Sequence, residues 1–544
     1  MLCSYDFVTD VAGEICRKGD CMQSSVTQQQ VMAIDPIEGC PNLSAANAIA
    51  RGAHATLTDQ SHARIRAGHK RLLQAVRDGR LIYGVTTGFG PLANRLVRAA
   101  EAETLQRNLI SHLATGLGRC LPWAEARAVL LARLVSLSHG LSGASPEAVL
   151  LMQALLASPF APRIPEQGTV GASGDLTPLA HLALSLTGEG GFIAIDGSAV
   201  SPDRVRASTG LPWLRLEARD GLALVNGTSA MTGIAVLNAD RAARLVRWAE
   251  HLSVGYAELL SGRREAWHPA FSSARRHPGQ AATMRALLAA AEGSRRLVAE
   301  PASAQRLEPN SAGGSDTQPH QDAYSIRCVP QVLGAVRDAL SYHNTIVAQE
   351  LLSATDNPIF PTDGPAALHG GNFMGCHVGH ASDALSIALV MLAGLAERQL
   401  ARLTDERLNG GLPPFLCRGE AGLSSGLMGA QVTATAVLAE MRSGAGPASI
   451  HSISTNGANQ DVVSLGTIAA RLAARQVGEA AKILSILAIA VAEGVDIVES
   501  GFSPATQSLV SQVRENVSPL IEDRPLSNDI ANLAVKIAED ELQN

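Results

Sequence analysis

The chain is poor in aromatic residues. Phenylalanine, tryptophan and tyrosine make up 3% of its 544 residues, so the core must be built from alanine, leucine, valine and isoleucine. Alanine and leucine are strong helix formers, and small side chains let helices approach closely. Charge is scarce as well, at 17%. That is little for a surface entirely in water, and it predicts that much of the surface is covered in an oligomer. Basic tracts are missing: the net charge is −6, which argues against nucleic acid and anionic membrane surfaces as partners. The longest apolar runs, such as ILSILAIAVA at 483–492, fall short of the roughly 20 residues that span a bilayer, and read as buried helices. The opening MLCSYDFVTDVAGEICRKGD carries acids and has no apolar stretch, so it is not expected to be a signal peptide. A soluble, cytoplasmic protein is the expectation. The eight cysteines are scattered. Cys3, Cys16, Cys21 and Cys40 lie early, but CRKGDC has no further ligands at short spacing for a metal. Free thiols in a reducing compartment are expected.

Residues 1–40 show no sustained period and include the polar run QSSVTQQQ. They are expected to form a mobile extension, and Met32 is a second candidate start. In SHARIRAGHKRLLQAVRDG, Ile65, Leu72 and Val76 recur at helical spacing, with Gly79 placed to end the helix. Helices are predicted over 101–115, 123–139, 145–157 and 175–188. GGFIAIDGSAV at 190–200 reads as a hairpin turned at Asp196-Gly197. From about 222 the pattern changes to long Ala/Leu-rich helices, over 225–260, 327–353, 376–408, 427–442 and 462–495. EPNSAGGSDTQPH at 308–320 is dense in turn formers and is expected to be an exposed, mobile loop. The implied organisation is an extension (1–40), an N-terminal region (41–221) and a long helical bundle (222–544).

Three stretches invite a chemical reading. YGVTTGFG at 83–90 is glycine-rich, yet it is neither GxGxxG nor a P-loop, so a nucleotide site is not expected. His377 and His380 in HVGH have metal-like spacing on a helix, which is more often plain helix surface than a metal site, so no metal is expected there. TVGASGDLTPLAH at 169–181 places Ala172, Ser173 and Gly174 just before a helix. The plain reading is a turn and an N-capped helix. Another reading exists. If the backbone bends sharply, the Gly174 nitrogen can attack the Ala172 carbonyl carbon. Loss of that oxygen as water, and of the Ser173 hydroxyl as a second water, leaves a five-membered ring with an exocyclic methylidene. Glycine offers the attacking nitrogen without obstruction, and serine supplies the hydroxyl to eliminate. The tripeptide alone is weak, since it arises by chance on the order of once in a few chains of this length.

Its surroundings are more specific. From about residue 40 nearly to the C-terminus, the sequence resembles the aromatic amino acid ammonia-lyase and aminomutase family. GTVGASGDLTPLAHLALSLTGEG is similar to that family's cyclising loop, and YGVTTGFGPLANR to the loop bearing its tyrosine. ALVNGTSAMTG, QDAYSIRCVPQVLG, TDNPIF, HGGNFMG and STNGANQDVVSLG are similar to its other active-site stretches. The GSSxMPxKxN signature of fumarase-like lyases, another all-helical lyase family, is absent. The resemblance implies a mainly α protein of fumarase/aspartase-like fold: a long-helix central bundle with a smaller mixed α/β N-terminal region. It implies the electrophile 4-methylideneimidazol-5-one (MIO), formed from Ala172-Ser173-Gly174, with no external cofactor. It also implies a homotetramer whose sites draw on three subunits, with Tyr83 and Arg327 from different chains. Tyr83 would remove the β-hydrogen. A free tyrosine ionises at about 10, so this role calls for nearby positive charge or hydrogen-bond donors. Arg327 would hold the substrate carboxylate. Tyr324, Asn226 and Gln321 would complete the polar shell, Phe373 would lie beside the MIO, and Asn456 and Gln460 belong to the same set.

Substrate choice rests on LQRNLISHLATGLG at 105–118. His112 and Leu113 fall where, by resemblance, tyrosine lyases carry His-Leu, phenylalanine lyases Phe-Leu and histidine lyases Ser-His. Ser111-His112 fits the histidine class only after a one-residue shift that spoils the flanking matches. Gln460 stands where histidine lyases carry a glutamate. An imidazole can bond the phenol oxygen of tyrosine, whereas phenylalanine would leave it unpaired. The implied reaction is elimination of ammonia from L-tyrosine to give p-coumarate, a phenylpropanoid. A tyrosine 2,3-aminomutase is the alternative, then a histidine ammonia-lyase. A non-catalytic helical scaffold in which the ring never forms stands apart from these.

Overall fold

Alanine and leucine do go into helices. The computed structural model describes residues 31–304, 321–420, 422–540 and 542. Its longest helices are Ser229–Leu259, Val329–Leu351, Cys376–Thr404 and Gly466–Val498. Shorter ones include Asp59–Arg77, Ala102–Leu113, Trp123–Ser138, Pro146–Leu156, Leu176–Thr187 and Met428–Ser443. Local chemistry sets several ends. Ser145 caps the helix that Pro146 opens, accepting a bond from Ala148 N–H. Gly188, in the left-handed region, closes Leu176–Thr187. Strands are few and short. Met32–Ile34 pairs in parallel with Ala55–Leu57, and Leu117–Cys120 pairs antiparallel with Pro165–Gln167. Phe192–Ile193 lies between Ala161–Pro162 and Ala199–Val200. The hairpin expected at 190–200 is this last pair. Asp196 Oδ1 accepts bonds from the Ser198 N–H and hydroxyl, and Gly197 takes φ 79° in the turn.

The contacts divide the chain into two units that are not contiguous in sequence. The first comprises the described residues up to Leu237 with Asn344–Ser382 and Pro447–Arg471. The second comprises those of Asn238–His343, Asp383–Gly446 and Leu472–Asn544. A linear division near 221 does not anticipate the two returning segments, because a shift in composition does not reveal which later loops fold back. In the first unit, Trp123–Ser138 is buried on every side from Glu125 onward, as befits a central helix. Smaller groups, such as Leu72, Ile82, Val85 and Phe360, pack around the site-bearing loops. The second unit has one continuous apolar core of its own, in which Leu252, Leu333, Leu392 and Leu487 are fully buried.

Several expectations need correction. Residues 32–40 are not a mobile extension: their strand is paired, and Asp35, 1% exposed, accepts bonds from Thr58 Oγ1 and Arg64. The helix predicted from 225 begins at Ser229, because the chain breaks helix at Asn226–Gly227, where Gly227 has φ 143°. One helix, Cys376–Thr404, is long and apolar enough to cross a bilayer, contrary to the reading that the apolar runs are too short. Its most apolar stretch is 67% buried inside the protein, so its apolar character is accounted for by the core. The loop at 308–320 and Cys3, Cys16 and Cys21 lie outside the described residues.

Candidate active site

The loop at 169–175 is sharply bent, with Gly174 N–H donating to Gly171 O at 3.3 Å. Gly171, Ser173 and Gly174 all have positive φ, and a serine at φ 55° is uncommon. Thr169 ties the loop on itself, donating to Gly174 O at 3.2 Å and accepting from Gly171 N–H at 3.1 Å. Gly174 lies against Gly227. A Cβ on residue 174 would come 2.1 Å from Gly227 O, so only glycine fits. The plain reading of this segment as an N-cap fails. Asp175 makes no capping bond to its own helix. Its buried carboxylate instead accepts from Met231 N–H at 2.8 Å and from the Thr467 hydroxyl. These partners sit in the first turns of Ser229–Leu259 and Gly466–Val498. Three helix N-termini therefore meet behind the loop, each bringing partial positive charge. Burial nevertheless dominates, and the Asp175 pKa is pushed up to about 6.

A run of contacts links this loop to Tyr83. Tyr83 N–H donates to His369 Nε2 at 3.2 Å. Gly370 N–H, one residue on, donates to Asn357 Oδ1 at 2.6 Å, and Asn357 O accepts from Asn226 Nδ2 at 2.6 Å. Gly227 N–H donates to Ser173 O at 3.3 Å, and Ser173 Oγ accepts from Gln460 Nε2 at 3.3 Å. The other end of the Gln460 amide is engaged by the Thr455 hydroxyl and Asn456 Nδ2, both at 2.9 Å. Buried charge fixes the middle of the run. Arg219 makes two bonds to the Asp356 carboxylate, at 2.8 and 2.9 Å, and a third to Asn357 O. Arg133 donates to Asn226 O at 2.7 Å, and burial brings its pKa down to about 10, still cationic at neutral pH. Burial, with Arg219 nearby, holds the His369 pKa below its usual value, consistent with a neutral ring that accepts from Tyr83. Asn226 Oδ1 is buried without a partner among the described residues and faces no competitor for a new donor.

The Tyr83 hydroxyl accepts from Gly90 N–H at 2.8 Å, and its ring meets Phe89 edge-on at 6.1 Å. His112 lies in the last turn of Ala102–Leu113, where its Nδ1 bonds Asn108 O at 3.0 Å. A carbonyl can only accept, so Nδ1 carries the proton and Nε2 of the neutral ring offers a lone pair. His112 is exposed and Leu113 half-buried in the single chain. His181 links the loop after His112 to the helix after the bent loop, accepting from Gly116 N–H at 3.1 Å.

Of the expected site residues, Tyr83, Ala172, Ser173, Gly174, Asn226, Asn456 and Gln460 fall along this run. His112 and Leu113 join it through their helix, and half-buried Phe373 belongs to the same unit. Gln321, Tyr324 and Arg327 belong to the second unit, where they form a cluster of their own. Arg327 donates to Gln321 Oε1, and its guanidinium lies over the Tyr324 ring at 4.7 Å. Tyr324 is 70% exposed. Gln106, Arg133, Arg219, Asp356, Asn357 and His369 escaped the sequence reading. The stretches TDNPIF and HGGNFMG were singled out there, but nothing in them marks Asn357 and His369 as holding other site residues. The residues fit an MIO group: the bend is present, the glycine is enforced, and a donor reaches the serine oxygen that must leave.

Comparison with known proteins agrees with this geometry. The family profile described as aromatic amino acid lyase matches residues 42–515. A tyrosine ammonia-lyase of Cereibacter sphaeroides is 53% identical over 506 residues, covering 92% of this chain and 96% of that protein. Another, from Cupriavidus metallidurans, is 39% identical over 502 residues, covering 90% and 93%. The crystal structure of tyrosine aminomutase from Streptomyces globisporus superposes with a TM-score of 0.88 at 36% identity, covering 94% of this chain and 97% of that one.

Proposed function

The chain belongs to the aromatic amino acid lyase family and is a carbon–nitrogen lyase; on that premise we propose that it removes ammonia from L-tyrosine to give p-coumarate. The observation that carries the choice of tyrosine is the bond from His112 Nδ1 to Asn108 O. It leaves Nε2 as an acceptor, suited to the phenol O–H of tyrosine. A phenylalanine ring would leave that nitrogen unpaired, at about 1–3 kcal/mol once water is excluded.

Two obstacles face the reaction: the amine leaves poorly and the β-hydrogen is barely acidic. The MIO formed at Ala172-Ser173-Gly174 supplies an electrophile that makes the amine a better leaving group. The rest falls to ordinary side chains. Tyr83 takes the β-hydrogen at its hydroxyl oxygen, with Gly90 N–H donating to that oxygen. Arg327 holds the substrate carboxylate through a planar fork, with Tyr324 and Gln321 beside it. Asn226, whose Oδ1 is buried and unpartnered, receives a donor from the substrate. Leu113 and Phe373 line the ring pocket, and Gln460 and Asn456 border the MIO.

The active unit is a homotetramer in which Arg327 and Tyr83 come from different copies. Low overall charge supports this, as do exposed Ile450, Ile453 and Val462 near the site-bearing loop and the exposed Tyr324. Free cysteines among the described residues support a cytoplasmic setting.

A tyrosine 2,3-aminomutase is the second reading, favoured by the structural likeness to that enzyme. Incubation with tyrosine, phenylalanine and histidine separately, with every product identified, decides between them. p-Coumarate without β-tyrosine is expected. β-Tyrosine among the products would establish the aminomutase, and no turnover of tyrosine would overturn both readings.

A further inference from the structure

Gln106 is fully buried, and its amide joins the two parts of the site that must agree on one substrate. Its Nε2 donates to Gly84 O at 2.8 Å, next to Tyr83. Its Oε1 accepts from Leu222 N–H at 2.8 Å, in the helix Asp220–Val225 that leads into Asn226. The residue itself stands on Ala102–Leu113, two turns before its end and six residues before His112. The surrounding backbones are crowded. A Cβ on Gly221 would come 2.7 Å from Gln106 O, and one on Gly84 would come 2.5 Å from the Leu222 side chain.

We infer that Gln106 is a positioning residue that sets the distance between the ring-binding His112 and the proton-abstracting Tyr83, and so a determinant of substrate specificity. This rests on the roles proposed above for those two residues. The physical reason is directional. An amide presents one donor and one acceptor at a fixed separation, and here each meets a backbone group of a different segment. No apolar side chain can satisfy both, and a carboxylate satisfies one only. With both bonds made, the His112 helix cannot slide along its axis without breaking one of them. Tyrosine is longer than phenylalanine by one oxygen, and a shift of that size in His112 relative to Tyr83 decides whether the phenol bond forms while the β-hydrogen faces the base.

The test uses the full chain in its native assembly and compares kcat/KM for tyrosine and phenylalanine. Gln106→Met keeps the volume and removes both bonds. The tyrosine-to-phenylalanine ratio should fall about tenfold or more, with kcat for both substrates reduced because the Tyr83 loop is loosened. In His112→Phe, adding Gln106→Met should leave the ratio unchanged while still lowering kcat. Gln106→Glu covers the case in which the methionine variant does not fold. It keeps the acceptor to Leu222 but turns the donor to Gly84 into an acceptor. Burial raises the pKa of such a carboxyl, so the variant's activity relative to wild type should fall as rising pH ionises it and recover as pH falls, since a protonated carboxyl donates again. An unchanged ratio in folded Gln106→Met overturns the inference. So does Gln106→Glu activity that follows the wild-type pH profile throughout. If His112→Phe by itself leaves the ratio unchanged, the His112 assignment has failed instead, a result that Gln106 variants do not produce.

Discussion

Gly174 and Gly227 meet backbone to backbone. Asp175 N–H donates to Gly227 O at 2.7 Å, Gly227 N–H returns a bond to Ser173 O at 3.3 Å, and neither glycine has room for a Cβ. This contact holds the bent tripeptide against the start of the helix Ser229–Leu259, and joins Ser173 to Asn226 through the main chain.

Replacing Gly227 by alanine should damage the site from outside the tripeptide. Its φ of 143° disfavours any side chain, and a Cβ would come 2.2 Å from Thr355 O and 2.3 Å from an Arg133 nitrogen. A loss of stability of about 1–3 kcal/mol is expected from strain, with activity falling further than stability. A denaturant titration beside a rate measurement checks both. Wild-type activity in the variant would show that the contact is dispensable.

Ser173→Ala should fold normally and be inactive, since no hydroxyl remains to leave. Intact mass provides the direct reading. Wild type should be lighter than its encoded chain by two waters, whereas the variant should not have lost the serine-derived water. An active wild-type enzyme with its full encoded mass would end the MIO account.

For Tyr83→Phe the expected loss is in kcat, by about 10²–10⁴-fold, the usual range for a general base, with KM for tyrosine little changed. Gly90 N–H loses its acceptor, so a small stability loss should accompany it. A raised KM with normal kcat would make Tyr83 a binding group.

His112→Phe should move preference towards phenylalanine. The lost bond, at about 1–3 kcal/mol, corresponds to a change of about 10–100-fold in the ratio of kcat/KM values. Undiminished selectivity for tyrosine would remove His112 from the pocket.

Stability should depend on pH through Asp220. Burial pushes its carboxyl up to about 6, against about 3.9 for an unfolded aspartate. Between these values the folded chain holds a proton that the unfolded chain has released. Its contribution to stability therefore falls as pH rises through that window and is level above it. Asp220→Asn removes the titration, although it also disturbs bonds from Ser145 and Glu217. The wild-type advantage over the variant should shrink as pH rises from about 4 to about 6. Thermal unfolding across that range measures it, and a constant difference would contradict the shift.

Much of this was legible before folding. The long helices announced themselves in Ala/Leu-rich periodicity, as in Gly466–Val498, and the hairpin at 190–200 in its Asp-Gly turn. A sharp bend at 172–174 was open to small residues, Gly174 above all, but the tripeptide alone did not establish it. The contact with Gly174 that accompanies the break at Asn226–Gly227 was not legible, although the Asn-Gly pair is itself a turn signal. Nor was the role of Asp175, which looks like a helix cap in sequence and serves the start of other helices in space.

The amino-acid order by itself determined which residues could do chemistry, because functional groups and local bends are properties of short stretches. Which of them work together was decided by folding. Gln106 reaching Leu222, His369 holding Tyr83, and Gln460 reaching Ser173 all join segments far apart in the chain. A hydrogen bond has direction and a reach of about 3 Å, and no pattern along a linear sequence encodes a separation that short between residues hundreds of positions apart.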